Sequence, residues 1–240
     1  MATSRYKNPH HQRIERVLHA LNPDVLTDCA CYFGGGTAVA LMLGEYRESV
    51  DIDFVCSSPD GFRTVRNLVS DTSLGALLRP GVELSRTRPV RRDQYGVRAW
   101  ITIDETPIRL EFIQEARIEV SGGMIPELPV PVLARTDLFA TKLLANADRW
   151  SDSSILYRDI IDLTAMTAAW GPIPDAAWGK ARRAYGASVD QAYRKAQEHL
   201  QAHPELLDLA FTGMQIGDHG QEVVRAGLGI GSEQDHEQER

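Results

Sequence analysis

The sequence predicts an α+β protein, with an N-terminal mixed β-sheet accompanied by helices and a C-terminal helical bundle. Three observations predict it. In the first half, apolar residues switch between the helical period of 3.6 and the strand period of 2, with Gly and Pro punctuation between the segments. From Thr136 to Met214 only the helical period recurs, and between the halves Pro126, Pro129 and Pro131 mark a connection. The expected organisation is an α/β domain over residues 1–132, a helical domain over 133–226 and a polar, disordered tail over 227–240.

Taken in order, Ile14, Val17, Leu18 and Leu21 predict an amphipathic helix over 9–21, ended by Asn22-Pro23. The apolar run Ala30 to Phe33 meets three glycines, Thr37 to Leu43 reads as a short buried helix, and Val50 to Cys56 alternates as a strand does. Phe62 to Leu78 is expected as a helix, and Val82–Val90, Val97–Ile103 and Ile108–Ile113 as strands. Helices are expected over 136–150, 155–170, 174–185, 188–201 and 205–214.

Composition narrows the function. A chain of 240 residues with 43% hydrophobic content can bury an ordinary globular core, and a net charge of −7 argues against coating nucleic acid through bulk positive charge. It leaves room for a local basic groove. Arg79, Arg86, Arg88, Arg91, Arg92 and Arg98, against Glu83 and Asp93, read either as a charged edge strand or as a patch for RNA phosphates, with Arg182 and Arg183 weaker candidates. Of 26 basic residues only four are lysine, and Lys142 is the single lysine between positions 8 and 179. Three cysteines without a CxxC pair indicate neither a disulfide framework nor a thiolate zinc site. His199 and His203 lack the intervening glutamate of a zinc helix. With a polar N-terminus and no long apolar run, the chain is read as soluble, untargeted and cytoplasmic, with no membrane partner.

The chemistry centres on Gly35-Gly36-Thr37 and Asp51-Ile52-Asp53. On a strand, Asp51 and Asp53 project from one face about 6–7 Å apart while Ile52 and Phe54 face the core. Two carboxylates so placed suit a hard divalent cation completed by substrate phosphates. The glycine pair permits close approach of the backbone to phosphate, the following helix start favours anions, and Thr37 adds a hydroxyl. Further along, Lys142 lies on a mostly apolar helix, and Asp159 and Asp162 share one helical face, an arrangement that also fits a surface lysine and a capping aspartate. Glu111, between apolar neighbours, is either a third carboxylate of the site or one acid of a half-exposed sheet.

The segment GGGTAVALMLGEYRESVDIDFV resembles the signature of the AbiEii/AbiGii branch, which includes the MenT toxins, of the DNA polymerase beta-like nucleotidyltransferase superfamily. Gly35, Gly36, Thr37, Gly44, Arg47, Ser49, Asp51 and Asp53 carry the likeness, and Lys142, Ala145, Arg149, Arg158, Asp159, Asp162 and Leu163 fill a second pattern similar to that family's. The resemblance implies a nucleotidyltransferase-type sheet and transfer of a nucleoside monophosphate from an NTP to RNA, above all the 3′ end of tRNA, with inhibition of translation and growth. It implies Mg²⁺, or Mn²⁺ in its place, on Asp51 and Asp53. Catalytic roles fall to Asp51, Asp53, Lys142 and Asp159, and nucleotide contacts to Gly35, Gly36, Thr37, Arg47, Ser49 and Glu111. Asp162 is expected as a structural partner of Arg158 or Arg149. A cognate antitoxin is implied as partner, and phosphorylation of Ser49 as a means of silencing. The competing readings are a small-molecule, antibiotic-type nucleotidyltransferase and a catalytically inactive binding relative.

Overall fold

Asn8 starts the first helix. Its side chain accepts the His10 N–H and Pro9 fills the first position, where a missing N–H costs nothing, giving α1 (Pro9–Ala20). The same Asn-Pro device recurs at Asn22-Pro23, so these residues start a second helix, α2 (Pro23–Asp28), as well as ending the first. The order strand, glycine turn, helix, strand follows as expected: β1 (Cys31–Gly34), α3 (Gly35–Met42) and β2 (Ile52–Cys56). Next come α4 (Pro59–Leu68), β3 (Arg91–Arg92), β4 (Gly96–Ile103), β5 (Thr106–Gln114), β6 (Gly122–Ile125) and β7 (Leu128–Leu133). The computed structural model describes residues 4–231. Of the disordered tail expected over 227–240, the first residues are instead ordered: Gly227 ends a helix, Leu228 is buried, and the Gly229 and Ile230 N–H groups donate to Ala226 O and Arg225 O. The apolar Leu228 can bury itself, and the helix end supplies acceptors. The remainder, 232–240, lies outside the described residues.

The seven strands form one sheet in the order β3-β4-β5-β2-β1-β7-β6, with β2 at its centre. β2 runs parallel to β5 and antiparallel to β1, and β1 runs parallel to β7. One row of register partners, Phe33, Phe54 and Phe112, is fully buried, with ring centroids 5.6 and 5.0 Å apart. The neighbouring row, pointing to the opposite face, is Gly34, Asp53, Glu111 and Arg98. The hydrophobic row fixes the register, and the register aligns the polar row.

Several expectations are corrected. The helix expected to reach Leu78 stops at Leu68. Ser70-Asp71-Thr72-Ser73 favours a turn, closed by Ser70–Ser73 backbone bonds, and Leu74 and Leu77 are buried from a 3₁₀ turn instead. Val82–Val90 forms no strand beyond an isolated bridge between Arg86 and Ile101. The proline-rich connection is in fact β6 and β7, with Pro129 and Pro131 beside the irregular register between Gly123 and Ile125, where a missing ladder donor is tolerated. Cys31 and Cys56 form a disulfide, against the expectation of none. They are 25 residues apart in sequence, but the antiparallel register sets them directly opposite, with Cα atoms 4.0 Å apart. Cys29 remains a buried free thiol.

The chain divides into two compact units. One holds the residues through Glu45 together with Ser49–Leu138, and the other holds Tyr46–Glu48 and the chain from Phe139 onward. The helices α5 (Arg135–Arg149), α6 (Arg158–Trp170), α7 (Asp175–Tyr185), α8 (Ser188–Ala202), α9 (Glu205–Gly213) and α10 (Asp218–Gly227) follow, the last without an expectation from sequence. α10 packs on α6 so closely that a Cβ at Gly227 would meet Thr164 Cγ2 at 2.4 Å. α6 begins at Arg158 rather than near Ile155, because Leu156 and Tyr157 turn the chain through left-handed φ of 56° and 53°. Among the described residues no helix is long and apolar enough to cross a membrane.

Candidate active site

In the first unit, Asp53 sits on the central strand and Asp51 immediately precedes it. Gly35 has φ +68°, and a Cβ added there would stand 2.6 Å from Asp53 Oδ2. Both facts demand glycine: the backbone conformation is one that other residues adopt only with strain, and the carboxylate occupies the space of a side chain. Glu111 is Asp53's register partner on β5, so the two carboxylates project side by side from one face.

Two arginines hold this acidic row. Arg109 donates from Nη2 to Asp51 Oδ2 at 2.8 Å and lies 3.5 Å from Glu111 through Nη1, while its Nε is buried without a hydrogen-bond partner. Its pKa is raised: burial opposes the charge, but Asp51, Glu111 and Asp53 outweigh it. Arg98 donates from Nε to Glu111 Oε1 at 2.6 Å and from Nη1 to Asp93 at 3.1 Å. Sequence reasoning placed Arg98 in a basic patch and gave Arg109 no role. Nothing in the linear pattern signals that Arg109 meets Asp51, because that pairing is made by the parallel β2–β5 register.

The rest of the arginine cluster is largely engaged with backbone. Arg79 donates to His19 O, Arg86 to Thr72 O and Arg92 to Val69 O, while Arg88 lies over the Trp100 ring. Thr37 is buried and its hydroxyl donates to the Asp51 carbonyl and lies 2.8 Å from Ser49 Oγ. It braces the acidic strand from below, rather than presenting its hydroxyl to solvent. Ser49 N–H in turn donates to His11 Nε2 at 3.1 Å.

In the second unit the second motif forms a buried ionic network. Arg47, 4% exposed, donates through Nε and Nη2 to both oxygens of Asp162 at 2.7 and 3.0 Å, and Tyr46 OH donates to the same carboxylate. Lys142, 5% exposed, lies 2.9 Å from Asp159 and 2.5 Å from Asp162. Arg149 makes a two-point contact with Asp159. Asp162 is thus the partner of Arg47, Tyr46 and Lys142. Arg149, expected as its partner, belongs to Asp159. Burial alone would raise both aspartates' pKa values, but Lys142 with Arg149 for Asp159, and Arg47 with Lys142 for Asp162, hold them below the usual range.

For a divalent cation, the donor chemistry of Asp51 and Asp53 fits: hard carboxylate oxygens, with glycine backbone packed against one of them. No three Asp, Glu, His or Cys residues among those described converge closely enough to hold a metal by themselves. The fit is to a two-carboxylate platform that substrate phosphates would complete.

A mixed sheet whose central strand carries Asp53, with Asp51 just before it, against an obligatory glycine turn defines an α+β protein with an oxygen-donor acidic site. Residues 16–223 match the family model described as the nucleotidyl transferase AbiEii toxin of type IV toxin–antitoxin systems, and the chain belongs to that family. Among solved structures it is similar to a candidate nucleotidyltransferase from H. pylori, at 16% identity and a TM-score of 0.47, covering 92% of this chain and 90% of that one. It is also similar to MenT4, a nucleotidyltransferase toxin from Mycobacterium tuberculosis H37Rv, at 15% identity and a TM-score of 0.35, covering 92% of each chain. No curated protein matches the chain.

Proposed function

We propose that this chain transfers a nucleoside monophosphate from an NTP to an RNA hydroxyl, with the 3′ end of tRNA as acceptor, and thereby inhibits translation and growth. The acceptor oxygen forms a bond to the α-phosphorus as the bond to pyrophosphate breaks, and the hydroxyl proton passes to a nearby base. Bound Mg²⁺ would supply charge neutralisation at the phosphates. Asp51 and Asp53 would hold that ion, the backbone of Gly35 and Gly36 would lie along the phosphates, and Glu111 would accept the proton. Arg109, with a spare buried Nε donor, is placed to exchange Asp51 for a phosphate oxygen. Lys142 and Asp159 enter the proposal on the likeness of their segment to the family pattern, as triphosphate binder and its acidic companion. The acceptor likewise comes from that likeness, as does a cognate antitoxin as partner.

The observation that carries the reading is Asp53's carboxylate packed against a left-handed Gly35 with Glu111 in register beside it. The test is to incubate the protein and Mg²⁺ with each labelled NTP and either total tRNA or a panel of aminoglycosides. Label is expected on tRNA and lost in Asp51→Ala and Asp53→Ala. Label on an aminoglycoside alone would establish the small-molecule reading instead, and no transfer to either would leave the inactive binding relative.

A further inference from the structure

His11 was not singled out by any motif, yet it is fully buried and linked through Ser49 and Thr37 to the backbone of Asp51. It lies on the apolar face of α1, with Ile14 and Leu18 at helical spacing, and is fully buried. Its two ring nitrogens do different work. Nδ1 is 3.0 Å from Glu45 Oε1, and Nε2 receives the Ser49 backbone N–H at 3.1 Å. An N–H can donate only to an unprotonated nitrogen, so the neutral imidazole with its proton on Nδ1 satisfies both contacts, and Glu45 selects that tautomer.

Glu45 is itself fixed. It accepts the backbone N–H groups of Lys7 at 2.7 Å and Asn8 at 3.0 Å at the start of α1. Burial alone would raise its pKa, but these two N–H groups and His11 hold it below the usual carboxylate range. On the other side, Ser49 Oγ is 2.8 Å from Thr37 Oγ1, and Thr37 donates to the carbonyl of Asp51. A continuous polar chain therefore runs from the start of α1 through Glu45, His11, Ser49 and Thr37 to the backbone of Asp51. His11 joins Glu45 to Ser49, the residues on either side of the Tyr46–Glu48 segment that belongs to the other unit.

We propose that His11 is a positioning residue of the acidic site: by accepting the Ser49 N–H it sets the Ser49–Thr37 pair, and through it the backbone at Asp51. Being fully buried, it does not meet nucleotide or acceptor and acts through Ser49. The proposal deepens the nucleotidyl-transfer reading and rests on it for its catalytic consequence.

Two substitutions separate the two ring nitrogens. His11→Gln places an acceptor near the Nε2 position, and His11→Asn places a donor near Nδ1 while removing the acceptor for Ser49. The turnover number for nucleotide transfer should stay within about threefold of wild type in His11→Gln and fall more than about tenfold in His11→Asn, with KM for NTP unchanged in both. Equal losses in the two variants, or none in His11→Asn, would overturn the proposal.

A second measurement is independent of activity and of either variant. In the wild-type protein, ¹⁵N NMR should show Nδ1 protonated, Nε2 unprotonated and a hydrogen-bond coupling from Nε2 to the Ser49 amide; an Nε2–H tautomer overturns the proposal. If wild type transfers no nucleotide at all, the functional reading fails. His11 is then judged by whether His11→Asn moves the Ser49 and Asp51 amide resonances more than His11→Gln does, and equal shifts would refute it.

Discussion

Gly35 is the residue on which the site turns, because two independent constraints exclude every side chain from it: φ of +68° and Asp53 Oδ2 in the space of a Cβ. Gly35→Ala is expected to cost roughly 1–3 kcal/mol in stability and to displace the Asp53 carboxylate. Urea denaturation and label transfer together check this, with Gly36→Ala as the comparison. Arg109 is a second case. Its guanidinium holds Asp51 at 2.8 Å and is about one-third exposed, so Arg109→Gln should cost under about 1 kcal/mol in the metal-free protein. Removing that positive charge should at the same time tighten Mn²⁺ binding, which a calorimetric titration would read. The sequence marked Gly35, Asp51 and Asp53 because their roles depend on local spacing. It could not mark Arg109, whose role depends on strand pairing across 58 residues.

At the scale of elements, β2 is both the scaffold of the acid pair and one half of a cross-strand clamp. The Cys31–Cys56 disulfide joins it to β1 three register positions from the Gly34–Asp53 pair. A loop of this length predicts that breaking the bond costs roughly 2–4 kcal/mol. Cys31→Ser should lower the denaturation midpoint accordingly, and thiol titration of the unfolded, unreduced protein should find one free cysteine of three. A count of three would refute the pairing. The helices α5 to α9 were legible from their sequence pattern, in α8 because it buries a single stripe, Val189, Ala192, Ala196 and Leu200, at helical spacing. β6 and β7 were not, since prolines at Pro129 and Pro131 read as breakers until β1 on one side and an irregular β6 on the other supply a place for them.

At the scale of the whole molecule, family membership spans residues 16–223 and therefore both units. Each unit carries carboxylates whose pKa values are held down, the half-buried Glu45 in one and the buried Asp159 and Asp162 in the other. Groups with depressed folded pKa values contribute stability that is complete above the unfolded carboxylate pKa of about 4 and lost as pH falls toward the lower folded values. Denaturation profiles should thus be flat from pH 7 to about 5 and fall steeply below about 4. Asp162→Asn, which leaves Arg47 and Lys142 buried beside a neutral amide, should cost about 3–5 kcal/mol at pH 7. The sequence by itself determined the fold class, the acidic strand and its glycine turn, and the family signature, because periodicity and short-range spacing are properties of the chain. Only the tertiary structure decided that Asp162 holds Arg47 and Lys142, that Cys31 meets Cys56, and that His11 reaches Ser49. Those pairings join residues 20 to 115 positions apart or turn on which face a helix buries, and packing is what brings such groups within hydrogen-bonding distance.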